Sequence, residues 1–567
     1  MATAPAATVV IPDGSASDLL FSTVAPTPDA DTKGMWGPVA AWPHIAIHAS
    51  LLPKAGAEGV VLTHGATASP RSASGTDLQG GIDFNEWNPV RGLGFDPSYA
   101  YSLASPVDPA NPAHRVLTDP IRFDSFCSST KMLSDGTLLI AGGNNGWYGD
   151  QTRSTAVYDP VTEQMRAMLQ SLAYPRWYAS LVRLPDDRMV LVGGGEAYVN
   201  VPSIVPEVFS SERGWVTLPK AASVEAFGSG AYEWWYPRAY LAPSGEVFGI
   251  SHRQMWRLDP DANGGAGSTR LVGRIETDNV GAAGTSVMFD HGKILLAGGG
   301  QIMNEFYGQR GSNQASVIDI SVDTPLVKPT ASMTYRRNWP TAAALPTGDV
   351  LVAGGAEWGN ADDSHAVAGD TDSLLGYPAY APEIWNPVTE RWTIGASQQR
   401  VRVYHSSLLL LPNGTLLSAG GGVPGPQDNR NAEIYYPPYL FKRQDSPGGG
   451  VVWASRPKMS RISDNVGYGN TVRLSLSDAR VIDRMTLISL GAVTHGHSND
   501  QRVFTIRNRA LAPSDAGAFT QRGNELVVPL PADDRRLPPG WYMMHVVDDA
   551  GVPSRGFMVE IKGKGAA

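Results

Sequence analysis

Cysteine is almost absent from this chain of 567 residues: the single Cys127 excludes a disulfide within the chain and any zinc site built from several thiolates. Charge is also sparse, 17% of residues against about 25% in an ordinary globular protein. The 45 Lys and Arg form no dense stripe and the formal net charge is -9, so no nucleic-acid partner is expected: nothing is there to replace phosphate counterions. No apolar run approaches the ~18 residues that cross a bilayer, and stretches such as 407–411 are of strand length, so no membrane partner is expected. Met1 to about Lys33 has neither a basic start nor an apolar core, which is not an intact secretory signal. A secreted or periplasmic location is expected if a leader is missing from this sequence. What the chain has in quantity is 62 Gly, 43 Pro and 42% hydrophobic residues, the balance of a packed protein with many strands and turns.

A strand, a tight turn, a second strand and a glycine cluster recur at roughly fifty residues, the kelch spacing of propeller blades. The clear copies are 133–143, 184–195, 290–300, 345–355 and 411–422, with weaker ones at 52–65 and 241–251. Their Asp-Gly, Asn-Gly and Ser-Gly pairs supply the positive φ that hairpins need, and the clustered glycines let backbones approach closely. Trp215, Trp256 and Trp392 stand where an outer strand is packed by an aromatic. The fold class is therefore all-β: a seven-bladed kelch-type propeller over 34–442, preceded by a flexible segment, 1–33. After the Gly-rich connector that follows Arg443, short alternating strands with Pro/Gly turns read as an immunoglobulin-like sandwich over 453–563.

Four segments put a redox-capable or metal-binding side chain at a strand edge: 126–128, 176–180, 402–406 and 493–497. First strands of blades line the axial channel, so residues of distant blades converge there. Cys127, Tyr178 and the pair Tyr404–His405 precede their blades' turns by similar distances and are expected at similar depth. His495, from the sandwich, enters from one end. Two imidazoles and two phenol oxygens make an N,O set suited to tetragonal Cu(II). Tyr404 and His405 are adjacent, so both reach one metal only where a strand begins or bends. His495 and His497 are two apart, on one strand face, and either reaches a metal. The remaining histidines are read as surface or core residues.

Phe126-Cys127, Arg176-x-Tyr178, the run Arg402-Val403-Tyr404-His405-Ser406, and Thr494-His495 with Asp500-Gln501-Arg502 resemble the galactose oxidase and glyoxal oxidase family of mononuclear copper radical oxidases. The resemblance spans about Met35 to Gly563 and implies the roles of individual residues. Cys127 is joined through sulfur to the Tyr178 ring, and that thioether-tyrosine becomes a stable radical. Tyr178, His405 and His495 are equatorial ligands of one copper ion, and Tyr404 is the axial ligand and base. The second redox centre is needed because alcohol oxidation releases two electrons and one Cu(II) accepts one. Thr494 and the Asp-Gln-Arg run select His495 over His497; His497, where the family has a small apolar residue, is then second to the metal or faces solvent. No Gly-x-Gly-x-x-Gly opens a helix, in keeping with no NAD and no flavin.

Substrate recognition departs from galactose oxidase. Glu196 stands where that enzyme stacks a tryptophan over the thioether, a point shared with glyoxal oxidases, and Trp234 or Trp235 is the candidate for shielding the radical instead. The aromatic run 232–236 suggests aryl or other hydrophobic primary alcohols over galactose, oxidised to aldehydes as O2 becomes H2O2. The alternatives are a glyoxal-oxidase-like aldehyde oxidase giving carboxylic acids, and a non-catalytic kelch scaffold. The expected partners are a small-molecule alcohol and O2, with an activating peroxidase a further candidate, and the expected state is a monomer.

Overall fold

The computed structural model describes residues 8–10 and 19–563, apart from 55–58, 67–82, 90–113, 119–122, 145–151, 198, 200, 229–233, 301–309, 359–376, 423–427, 446–447, 464–465, 500, 514 and 516. Among the described residues, seven antiparallel sheets follow one another along the chain as blades. Their innermost strands are His48–Leu52, Ser129–Met132, Trp177–Arg183, Arg238–Leu241, Gly284–Asp290, Thr341–Ala344 and Ser406–Leu410. Blades 1 to 6 take all four strands in chain order. Blade 7 takes three, and its outer position is filled from the start of the chain, where Met35 pairs with Tyr436 and Trp36 with Tyr435. This joins the first and last turns of the wheel.

The glycine clusters have a physical reason. In blades 2, 3, 5, 6 and 7 the second strand ends where the next blade's lead-in segment crosses it at backbone distance. A Cβ on Gly142 would lie 2.1 Å from the Arg176 carbonyl oxygen, and one on Gly354 2.4 Å from that of Arg402. Only glycine admits that crossing. Three of these lead-ins are clasped by buried charge pairs. Arg176, Arg337 and Arg402 donate to the carbonyls of Gly193, Gly354 and Gly420 and pair with Glu207, Glu383 and Glu433 on the third strands at 3.0–3.2 Å. The glutamates also accept backbone N–H groups of the lead-in, such as Ala173 and Gln399.

Two sheets form the sandwich. Met459–Ser463, Thr471–Leu476, Glu525–Pro529 and Thr520–Arg522 face Val503–Arg507, Ile482–Ser489, Gly540–Asp548 and Phe557–Ile561, with Leu474, Leu487, Phe519 and Val546 buried between them. Among the described residues no helix is long and apolar enough to cross a membrane.

Two expectations need correcting. Parts of the lead-in taken as flexible are packed: Leu20 and Ala30 are buried, the Tyr435 hydroxyl donates to the Lys33 carbonyl at 2.5 Å, and Thr8–Val10 adds a strand to the sandwich. Trp215 and Trp392 do lie on outermost strands, but Trp256 is on the third strand of blade 4, opposite Gly249, whose missing side chain leaves room for the indole.

Burial, reinforced by the guanidiniums of Arg430 near His44 and Arg456 near His545, holds His44 down at about 3 and His545 at about 4, against about 6.5 in an unfolded chain. Between those values the unfolded chain binds the extra protons, so stability falls as pH falls, by up to about 1.4 kcal/mol per pH unit for each group. The Tm of the metal-free protein is expected to drop from pH 7 to pH 5, with a shallower slope in His545→Gln. A Tm flat across that range would contradict it.

Candidate metal centre

The inner strands begin in a repeated backbone conformation. Cys127, Tyr178, Tyr236, Trp339 and His405 all have φ between +41° and +65°, a left-handed geometry that side chains other than glycine's adopt at a cost of about 1–3 kcal/mol each. Each stands nine residues before a positive-φ turn residue of its own hairpin: Gly136, Asp187, Gly245, Gly348 and Gly414 respectively. Backbone hydrogen bonds link these positions from blade to blade. The N–H of Tyr178 donates to the Cys127 carbonyl at 3.0 Å, that of Tyr236 to Tyr178 at 2.7 Å, and that of Trp339 to Ala283 at 2.9 Å. A side chain leaving the backbone at such a bend points across the axis instead of into the blade. The bend also explains how neighbours Tyr404 and His405 face the same way, their rings stacked at 3.6 Å just before the strand starts at Ser406.

From blade 1 the axis receives a hairpin of the sandwich. Ala492–Thr494 pairs with His48–Leu52 and turns back at His495–Gly496, both at positive φ. A Cβ on Gly496 would lie 2.5 Å from the Pro340 carbonyl, so glycine is needed for the tip to enter. This corrects the reading of His495 and His497 as neighbours on one strand face. The turn separates them: His495 is at the tip, and His497 is paired across the strand from Thr494, with its Nε2 at 3.0 Å from Asn499 Oδ1.

The predicted residues meet here. Nε2 of His495 is 3.3 Å from Cys127 Sγ and that of His405 4.0 Å, all three ligand atoms lying within 4.8 Å of one another. The Tyr178 and Tyr404 hydroxyls share a hydrogen bond. The His405 and His495 rings cross at 89° with centroids 4.4 Å apart. Both imidazoles are oriented by their other nitrogen. His405 Nδ1 donates to the Gly422 carbonyl at 2.7 Å. The Thr494 hydroxyl donates to the Ile47 carbonyl at 3.0 Å and so accepts from His495 Nδ1 at 2.6 Å. Each Nε2 lone pair is thereby turned inward, the tautomer a metal requires. Burial, then the His405 and His48 imidazoles, hold His495 well below the ordinary histidine range, so it is neutral and able to ligate.

Aromatic rings surround the pair of phenols. Trp235 stacks on Tyr178 at 4.6 Å and 14°, while Trp234, buried, meets Trp235 edge-on and packs against Gly195. Trp339 packs on Tyr404 at 4.9 Å and Phe126 on His405 at 5.3 Å. Glu196 is exposed and not among these rings. Tyr232, Glu233 and Asp500 lie outside the described residues. Reasoning from sequence had Tyr236 only within the aromatic run 232–236 and not at the centre, where its ring is 4.9 Å from that of His495, and it missed Trp339; the buried Arg238 donates to the carbonyls of Tyr236, Ala282 and Gly284. The nine-residue offset was the available signal for the two aromatics. His48, taken as a surface or core residue, is buried edge-on to His495.

A propeller whose axis is plugged by a hairpin of a β-sandwich, with imidazoles and phenols meeting at the plug, defines a class of two-module metal-site proteins. Within it the chain belongs to the glyoxal oxidase family: the family described as Glyoxal oxidase N-terminus matches residues 99–438, and the Galactose oxidase-like, Early set domain matches 456–561. It is homologous to galactose oxidase and the glyoxal oxidases. Galactose oxidase of Gibberella zeae is 26% identical over 553 residues, covering 94% of this chain and 71% of that protein. Aldehyde oxidase GLOX of Vitis pseudoreticulata is 26% identical over 506 residues, covering 79% of this chain and 86% of that protein. The fold is similar to that of a fungal alcohol oxidase solved in complex with copper, with TM-score 0.72 at 22% identity over 93% of this chain and 99% of that one.

Arg402 leads directly into Tyr404 and His405, so its clasp is testable through both stability and the site. Glu433→Gln leaves a buried guanidinium without its counter-charge and is expected to cost about 3–5 kcal/mol in denaturant unfolding. Cu(II) affinity is expected to fall with it. An unchanged midpoint would show that the clasp carries no such weight.

Proposed function

We propose that the chain is an oxygen-dependent copper radical oxidase of primary alcohols, with Tyr178, Tyr404, His405 and His495 holding copper and Cys127 cross-linked to Tyr178. The observation that carries this reading is that both imidazoles have Nδ1 tied back and Nε2 turned toward the same few ångströms as a lone sulfur and two touching phenols. Two neutral nitrogens and two phenol oxygens fit Cu(II) better than cations that prefer carboxylates. When bound, copper together with an oxidised thioether-tyrosine supplies two one-electron acceptors, so that RCH2OH gives up two electrons and two protons to become RCHO and O2 takes both to leave as H2O2.

The chain's own residues do the rest. Thr494 and the Gly422 carbonyl fix the two histidine tautomers. Tyr404, in contact with the Tyr178 hydroxyl, takes the alcohol proton on its phenol oxygen. Trp235 covers the flat face of Tyr178 and keeps water off that ring. Trp235, Trp339 and Phe126 line the surroundings with apolar rings, which supports aryl or other hydrophobic alcohols over galactose. A second reading, an aldehyde oxidase forming carboxylic acids, is supported by the Glyoxal oxidase N-terminus match and by Glu196 in place of a stacking tryptophan.

Cys127→Ser is expected to bind copper while losing the radical's absorption and nearly all turnover; wild-type rates would contradict the scheme. Tyr404→Phe should retain copper and slow turnover by about 10²–10⁴-fold, the usual contribution of a positioned base. Loss of copper binding would reassign Tyr404 to an essential ligand. Peroxide release from benzyl alcohol, galactose and methylglyoxal separates the readings: turnover of methylglyoxal alone removes the alcohol oxidase, and no turnover with no copper uptake leaves a scaffold.

A further inference from the structure

On the face where the inner strands begin, described residues of blades 5 and 6 from 310–313, 334–336, 357 and 377–380 line a depression of about 520 Å³ that the reaction above does not use. Its walls include three phenols, Tyr335, Tyr377 and Tyr380, and three charged groups, Arg310, Arg336 and Glu357. Tyr335 and Tyr377 are 38% and 58% exposed, large rings left open where most aromatics of the described residues are buried. Tyr335 is held in place from beneath by the guanidinium of Arg337, 5.4 Å from its ring centre. Arg310 and Glu357 neutralise one another, Nε donating to Oε1 at 2.7 Å. Arg336 spends Nη1 on the Gly311 carbonyl at 3.1 Å and has no carboxylate partner among the described residues. The depression therefore offers ring faces, hydrogen-bonding groups of both kinds and one uncompensated planar cation.

It adjoins the axial channel. Arg336 is three residues before Trp339, which packs on Tyr404. Asn338 between them exchanges backbone hydrogen bonds with Ala356, at 2.7 and 3.0 Å, next to Glu357.

We propose that this depression binds a saccharide unit bearing a carboxylate, its ring laid on Tyr335 and Tyr377, its carboxylate on the Arg336 fork and its hydroxyls on the Arg310–Glu357 pair. Mixed donors and acceptors around open phenol faces suit a polyhydroxylated ring better than a plain arene, and the unpaired guanidinium selects the acidic sugar over the neutral one. Acidic glycans are thus docked beside the channel mouth. The site goes beyond the oxidase reading and needs neither metal nor turnover to be occupied.

The test uses the full, metal-free chain and calorimetric titration with trigalacturonate and, separately, maltotriose. Trigalacturonate is expected to bind saturably and maltotriose about tenfold more weakly, the difference carried by the charge-assisted contact. Arg336→Gln, with an unchanged Tm, should remove that difference, while Tyr377→Ala should weaken both sugars. Absence of saturable trigalacturonate binding, equal binding of the neutral trisaccharide, or wild-type affinity in Arg336→Gln would each overturn the proposal. Because copper is absent, these outcomes are independent of whether the axial centre oxidises alcohols.

Discussion

The axial centre depends on one backbone constraint: at the head of the inner strand the chain turns through the left-handed region, and Tyr178 and Tyr236 are bonded there to the same position of the preceding blade. The turn is energetically unfavourable for Cys127, Tyr178, Tyr236, Trp339 and His405, and it persists because strands and clasps on either side leave no alternative. Its effect is geometric. A regular strand alternates side chains between its two faces, both occupied by neighbouring blades, whereas the inverted residue faces the axis. Residues as far apart in sequence as 127 and 405 thereby become neighbours.

The second requirement is a part from outside the wheel. Blade 1 carries the sandwich's hairpin along its inner strand, and the backbone ladder sets how deeply the tip enters. Thr494 serves two roles in this arrangement, anchoring the tip to Ile47 and orienting the His495 imidazole beside it. Position and protonation of His495 are thus set by the same hydroxyl, so the nitrogen that faces the centre is not free to exchange with the one that does not.

Much of this architecture was legible in the residues. Glycine clusters recur because most blades repeat the same crossing, as at Gly142, Gly193, Gly298, Gly354 and Gly420, and a constraint met that often leaves a periodic trace. The Arg-x-Tyr and Arg-x-Tyr-His runs are legible for the same reason, since the arginine clasps the segment that delivers the tyrosine. Other features left no such trace. A backbone inversion is not written in residue type when the residue is Cys, Tyr, Trp or His, so Trp339 was passed over and Tyr236 was read only as part of an aromatic run. His497 was placed beside His495 by strand alternation, which fails at a two-residue turn. Trp256 is accommodated by Gly249, ten residues or fewer away in sequence but on another strand, a complementarity that only pairing reveals.

The borrowed outer strand of blade 7 has a bearing on how the molecule is made. On the ribosome, Met35 and Trp36 emerge long before the strand Asn431–Tyr436 that they must complete, so the circle stays open through most of synthesis. The plug arrives later still, from residues 492–498. The side chains of Cys127, Tyr178 and His405 therefore meet that of His495 only after nearly the whole chain has been made.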